Sequence, residues 1–258
     1  MKKIGFIGCG NMGGAIIKSL KGSYDLFLYD RDEKKSHALS EYGKVLNTLE
    51  ELLSSSEIIF IAIKPQMITK NFLSSIRRDG KEYISIAAGI PLDVLESNLR
   101  TANVARFMPN IAAERKAAIT AVATRSDDEF KKLAFSLASS FGKAVEIDES
   151  LFDAFIGTSG SLIAFVLKFI SSSAMAGVKA GFSYPLSLEI VRNTVISALA
   201  LDGDPDDNIK KICSAKGTTI AGIQMLEENG FSNALYKAVE ASRKKEEEIE
   251  KRSRENLL

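Results

Sequence analysis

Lys3-Ile4-Gly5-Phe6-Ile7-Gly8-Cys9-Gly10-Asn11-Met12-Gly13 is the stretch on which the fold turns. Its first five residues read as a strand, and a GxGxxG pattern from Gly8 to Gly13 leads into a segment of helical period ending near Leu20. In a βαβ unit the first glycine permits a tight turn and the second lets the backbone approach a pyrophosphate. The third lets helix and strand pack closely, while the helix N-terminus faces the phosphates. Gly8, Gly10, Asn11, Met12 and Gly13 are therefore candidate dinucleotide-binding residues. Asp30 falls about twenty residues further on, at the end of a second predicted strand, where a carboxylate accepts hydrogen bonds from a ribose 2′-hydroxyl. That favours NAD. Arg31, with Lys34 and Lys35 nearby, suits the 2′-phosphate of NADP, so both cofactors stay open.

Outward from this unit, β-rich runs alternate with helical ones. The expected strands are Lys3 to Ile7, Asp25 to Tyr29, Ile58 to Ile63, Tyr83 to Ala87, Val104 to Phe107, Ile119 to Thr124 and Ala144 to Ile147. Between them the expected helices are Met12 to Leu20, Glu33 to Tyr42, Leu49 to Leu53, Gln66 to Ile76, Pro91 to Ser97 and Asp128 to Phe141. Such alternation predicts a mostly parallel sheet. After Glu149 the strand signal disappears, and Leu151 to Leu201 is helical in character, broken at Gly181 and Pro185. A second helical stretch is expected from Thr219, after the turn Asp202-Gly203-Asp204-Pro205. The fold class is thus α/β, an N-terminal Rossmann-like doubly wound sheet (residues 1–150) followed by a C-terminal all-helical domain (151–258). The charged tail Arg243 to Arg254 mixes both signs at helical spacing and reads as a solvated helix.

Composition narrows the class. The 258 residues are 45% hydrophobic and carry 34 basic against 33 acidic side chains, so no net field draws the chain to nucleic acid or an anionic membrane. Small molecules and copies of itself are the expected partners. Cys9 and Cys213 lie far apart and belong to no CxxC or Cys/His ligand spacing, so no metal is expected and a reducing cytoplasm fits. The N-terminal apolar stretch is broken early by glycines and reads as a strand and turn, not a signal peptide. The longest later apolar run, Leu162 to Ile170, contains Lys168 and falls short of the ~20 residues a membrane helix needs, so no bilayer span is expected.

Phe6-Ile7-Gly8-Cys9-Gly10-Asn11-Met12-Gly13 resembles the opening of the pyrroline-5-carboxylate reductases, and three further blocks extend the likeness in family order. Ile61-Ala62-Ile63-Lys64-Pro65-Gln66 is similar to the family's AVKPQ segment beside the nicotinamide ribose. Arg106-Phe107-Met108-Pro109-Asn110 is similar to its RxMPN segment, and Ser214 to Gly222 to its SPGGTTIAG loop. The resemblance implies cofactor contacts at Ala62, Ile63, Lys64, Pro65 and Asn110. It implies substrate contacts at Ser214, Gly217, Thr218 and Thr219, with backbone amides around Gly217 and Thr218 on a carboxylate and the Thr219 hydroxyl facing an imine nitrogen as the catalytic group. Read from the residues alone, Thr218 and Thr219 are equally helix caps, and Pro109-Asn110 a strand-ending turn. Two departures fall on the substrate side: Leu162 and Ile163 replace a Gly-Pro pair, and Ala215 and Lys216 replace Pro-Gly. The Lys216 ammonium would be free to pair with a substrate carboxylate.

The resemblance implies reduction of 1-pyrroline-5-carboxylate to L-proline, the last step of proline biosynthesis, by hydride transfer from NAD(P)H in a homodimer or a larger ring of dimers. Two alternatives stand beside it. A related oxidoreductase would be a β-hydroxyacid dehydrogenase or a reductase of another imine, but Val166 stands where the former's catalytic lysine is expected; a lactate-type dehydrogenase with a histidine general acid is opposed because the sole histidine, His37, sits in the cofactor half, away from the strand ends. A regulatory NAD(P)-binding protein without catalysis is the other, kept open by the departures at Leu162, Ile163, Ala215 and Lys216.

Overall fold

The computed structural model describes residues 1–257. In chain order its elements are β1 (Lys3–Ile7), α1 (Asn11–Leu20), β2 (Asp25–Tyr29), α2 (Glu33–His37), β3 (Lys44–Val45), α3 (Leu49–Ser55), β4 (Ile58–Ile61), α4 (Lys70–Ile76), β5 (Glu82–Ser85), α5 (Leu92–Leu99), β6 (Val104–Pro109), β7 (Ala118–Thr124), α6 (Asp128–Ser139) and β8 (Gly142–Glu146). The helical part adds α7 (Phe152–Phe155), α8 (Leu162–Lys179), α9 (Tyr184–Leu199), α10 (Pro205–Ile212), α11 (Thr218–Glu228) and α12 (Phe231–Leu257). Two compact units result, one of residues 1–160 together with the chain from Ser242 onward, the other Ser161–Ala241. The sequence reading placed the division at 150; the helical turns up to Gly160 and the end of α12 go with the first unit.

In the first unit the eight strands form one sheet in the order β3-β2-β1-β4-β5-β6-β7-β8. All pairs are parallel except β6 with β7. That exception follows from chain length. Between Pro109 and Ala118 lies only a 3-10 turn, Ile111–Arg115, whereas a parallel return needs a crossover of about a dozen residues or more. The central strands are apolar on both sides: Ile58, Ile59, Phe60 and Ile61 are all fully buried, as expected of a sheet covered by helices on each face. Phe6 of β1 stacks on Phe60 of β4 at 4.6 Å between ring centroids.

Sequence and structure differ at several edges. The two-residue β3 was not foreseen, and α2 stops at His37, five residues short of Tyr42. Glycine explains the chain's course there: a Cβ at Gly43 would stand 2.8 Å from the Leu26 carbonyl oxygen, so the chain presses onto β2 instead of continuing a helix. The expected helix from Gln66 splits into a 3-10 turn, Pro65–Met67, and α4, because the Thr69 hydroxyl accepts the Phe72 amide at 3.1 Å and starts a new helix.

The tail corrects a second expectation. Among Arg243 to Arg254 Glu246 is buried, only 3% exposed, while its charged neighbours are not, so this helical end packs on the first unit instead of being wholly solvated.

In the second unit α8 and α9 pack through small groups. A Cβ at Gly177 would meet the Ser187 Oγ at 2.1 Å, and that hydroxyl donates to the Ala174 carbonyl at 2.7 Å. Ala174 and Ser187 are the only buried side chains between Ser161 and Ala241. Leu167, Phe169, Met175, Ile196 and Leu199 are exposed. The helical run Glu149–Lys179, 31 residues containing an 18-residue window of mean hydropathy 1.7, is by length and composition apolar enough to cross a membrane, which the reading of Leu162 to Ile170 as too short had missed. The run is longer because α7, a π turn (Ile156–Gly160) and α8 follow one another directly.

Candidate active site

At β1 and β4 the strand order reverses, and chains leaving the two strands in opposite directions open a crevice at their carboxyl ends. The cavity there, about 360 Å³, is lined by Gly8, Gly10, Asp30, Arg31, Ala62, Ile63 and Lys64 among others. Seven of the expected cofactor residues therefore meet in one place.

Local backbone chemistry builds the cradle. Gly8 has φ 109°, and a Cβ on it would stand 2.5 Å from the Ala62 carbonyl oxygen, so the turn excludes every other residue. A Cβ at Gly13 would meet the Gly8 carbonyl oxygen at 2.4 Å, which is how α1 closes onto the turn. Gly10 differs: nothing lies within 4 Å of where its Cβ would be. It is also the N-cap of the ten-residue α1 and supplies no side-chain cap, leaving amide hydrogens of the first turn for an anion. A pyrophosphate fits such a surface in charge and in size.

Asp30 is wired into the turn. Its Oδ2 accepts the Cys9 amide at 2.7 Å and its Oδ1 the Asp32 amide at 2.9 Å. Burial, and secondarily the Asp30 charge, push the Cys9 thiol up to about 12, so this cysteine is an inert wall. Arg31 is exposed at the rim, and Lys35 lines the same cavity, 3.7 Å from Asp32. An adjoining cavity adds Tyr29, Leu49, Gln66 and Phe72. Of these only Gln66 stands in a block quoted from the sequence; nothing in the spacing of Tyr29, Leu49 and Phe72 marks them, because they converge only through the sheet.

Other expected residues lie elsewhere. Asn11 is exposed at the start of α1 and Met12 packs on the core, and neither is among the cavity's lining residues. Pro65 begins the 3-10 turn and lines a groove with Thr69, Ile249 and Arg252. Asn110 is buried; its Oδ1 accepts the Ala112 amide at 3.2 Å and its Nδ2 donates to the Ser159 Oγ at 3.4 Å, so the amide caps the turn after β6. Arg106, the first residue of the RxMPN-like block, is fully buried, 3.2 Å from Glu149, 3.4 Å from Glu246 and 3.5 Å from Glu250, with its guanidinium 4.5 Å from the Phe152 ring centroid.

In the second unit Ser214 to Thr219 form a tight turn into α11. The Gly217 amide donates to the Ser214 carbonyl at 3.0 Å, and a Cβ at Gly217 would meet the Ser214 Oγ at 2.2 Å. Gly217 is the N-cap without a side-chain cap, and Thr218 and Thr219 are exposed in the first turn. Lys216 keeps φ 59°, the left-handed conformation that a glycine at that position would adopt without cost.

Comparison with known proteins finds matches for both parts of the chain. The family model "Pyrroline-5-carboxylate reductase dimerisation" matches residues 149–249, and "NADP oxidoreductase coenzyme F420-dependent" matches residues 3–89. Pyrroline-5-carboxylate reductase of Methanosarcina acetivorans is 35% identical, covering 94% of this chain and 97% of its own. Among solved structures, 1-pyrroline-5-carboxylate reductase of Streptococcus pyogenes aligns with a TM-score of 0.87 at 31% identity, covering 95% of this chain and 97% of that one. The pyrroline carboxylate reductase of Plasmodium falciparum, solved with NADP bound, aligns with a TM-score of 0.88 at 27% identity over 96% and 98%.

Proposed function

The chain belongs to the pyrroline-5-carboxylate reductase family, and on that premise we propose that it reduces 1-pyrroline-5-carboxylate to L-proline at the expense of NADPH or NADH. The observation that carries the reading is the Gly8–Gly13 cradle closed by Asp30, set at the strand-order reversal of a chain related to these reductases along almost its whole length.

A nicotinamide dinucleotide, when bound, supplies the hydride that adds to the imine carbon. The protein's share is placement and charge. In our reading Gly8, Gly10 and the first-turn amides of α1 hold the pyrophosphate, Asp30 and Arg31 face the adenosine ribose, and Ala62, Ile63 and Lys64 form the opposite wall. Asn110 shapes the turn after β6 rather than touching the ligand. Amides of Gly217 and Thr218 at the start of α11 hold the substrate carboxylate, with the Lys216 ammonium one residue away. The Ser214 hydroxyl stays within the turn, and the Thr219 hydroxyl donates to the imine nitrogen. That nitrogen can take its proton from solvent through the same hydroxyl as the hydride adds to the carbon, so no histidine is required, and His37 on α2 has no part in the chemistry.

The second unit implies homo-oligomerisation. Two buried side chains cannot hold five helical segments together in water, and its exposed apolar residues fall in the region matched by the dimerisation family model. We read the apolar run through α8 as subunit surface, assembled into a dimer or ring of dimers, and place the enzyme in the cytoplasm, where Cys9 and Cys213 stay reduced.

Mass-resolved turnover of a panel of cyclic imines and β-hydroxyacids tests this. Proline from the five-membered imine acid is expected as the main product. Preference for a hydroxyacid, or dinucleotide binding without any turnover, contradicts it.

A further inference from the structure

The end of α12 is tied to the loop that follows β5. Glu246 Oε1 accepts the Gly89 amide at 2.5 Å and lies 3.4 Å from Arg106 Nη2 of β6. Gly89 has φ 66°, and a Cβ there would stand 2.4 Å from Ile249 Cγ2, so its backbone is pressed between two residues one turn apart on the helix. This loop leaves the sheet on the strand next to one wall of the crevice. β5 runs parallel to β4 with Ser85 opposite Ile61, so the chain from Ile86 to Gly89 and the chain from Ala62 to Lys64 leave the sheet at the same level, on neighbouring strands. Ala62, Ile63 and Lys64 line the cofactor cavity.

A buried carboxylate is an expensive way to fasten a loop. An apolar side chain of equal volume at 246 would avoid the desolvation that raises the Glu246 pKa, against the opposing pull of Arg106 and of the Gly89 hydrogen bond. What an apolar residue cannot do is accept a backbone hydrogen bond and fix the position of one peptide group.

We propose that Glu246 is a positioning residue for the dinucleotide crevice, holding the Gly89 peptide so that the loop after β5 stands as a preformed wall next to Ala62–Lys64. This rests on the dinucleotide reading above. Arg106 pulls the buried carboxyl back towards its ionised form, and Ile249 sets how close the loop comes. The charged tail is thereby part of the site's framework, although none of its residues touches the ligand.

The test compares Glu246→Gln, which keeps an acceptor oxygen, with Glu246→Met, which keeps the volume and loses the acceptor, both in the full chain. Two quantities are read: hydrogen exchange of the Gly89 amide in cofactor-free protein, and NADPH and NADH affinity by calorimetry. Glu246→Met is expected to speed Gly89 exchange at least tenfold and weaken dinucleotide binding at least fivefold, while Glu246→Gln stays within about twofold of wild type on both. Wild-type affinity in Glu246→Met, or equal losses in the two variants, overturns the assignment. Wild-type protein that binds neither dinucleotide overturns this proposal and the reading beneath it together.

Discussion

Asp30 accepts the Cys9 amide hydrogen at 2.7 Å, so the acid at the end of β2 is part of the glycine turn itself. Its other oxygen holds the Asp32 amide at the start of α2. One carboxylate thus ties the glycine turn after β1 to the start of α2.

Asp30 and Arg31 are expected to behave differently on substitution. Asp30→Ala strips a part-buried amide of its acceptor, worth about 1–3 kcal/mol, and is expected to weaken NADPH and NADH alike by tenfold or more. Arg31→Ala removes only the charge suited to a 2′-phosphate and should raise the KM for NADPH about tenfold with that for NADH little changed. Equal effects of Arg31→Ala on the two KM values would show that Arg31 does not read the phosphate.

Two glycines separate folding from binding. Gly13→Ala drives a Cβ into the Gly8 carbonyl at 2.4 Å, and thermal unfolding should reveal a loss of about 1–3 kcal/mol. Gly10→Ala meets nothing within 4 Å, so the variant should unfold like wild type and yet bind either dinucleotide at least tenfold more weakly by calorimetry. Undiminished binding by Gly10→Ala would mean that no phosphate comes close to this backbone.

How much of this could be read from the chain follows its physics. The glycine spacing, Asp30 and the apolar strands were legible because each depends on a few adjacent residues. Arg106 was not: it stands in a motif-like block, and only the approach of Glu149 and Glu246 from distant parts of the chain shows it to be a buried clamp. Glu246 itself is hidden among alternating charges that look solvated, and the hydrogen bond of Asn110 to the distant Ser159 appears only in the fold. The apolar reach of α8 was underrated because helix length depends on the continuity of turns across Ile156–Gly160, which no local propensity announces.

Cys9 offers a chemical check on the cradle. A thiol pushed up to about 12 is ionised to only about one part in ten thousand at pH 8, and burial removes it from solvent besides. Mass spectrometry after iodoacetamide treatment at pH 8 is expected to find the Cys9 peptide unmodified in native protein and modified once denaturant is added. Fast native modification would show that the turn opens.

Ile196, 64% exposed on α9, should report the subunit contact. Ile196→Glu places a charge on that apolar face, and light scattering is expected to give a smaller assembly than wild type. An unchanged mass would remove this face from the interface.

The central claim is hydride transfer to the imine acid, and its most direct measurement is steady-state consumption of NADPH and of NADH with 1-pyrroline-5-carboxylate, with proline quantified in the same samples. The expected result is one proline formed per nicotinamide oxidised, with kcat falling at least tenfold in Thr219→Val while cofactor affinity holds. Cofactor that binds but is not oxidised, or oxidation without proline, would contradict the account.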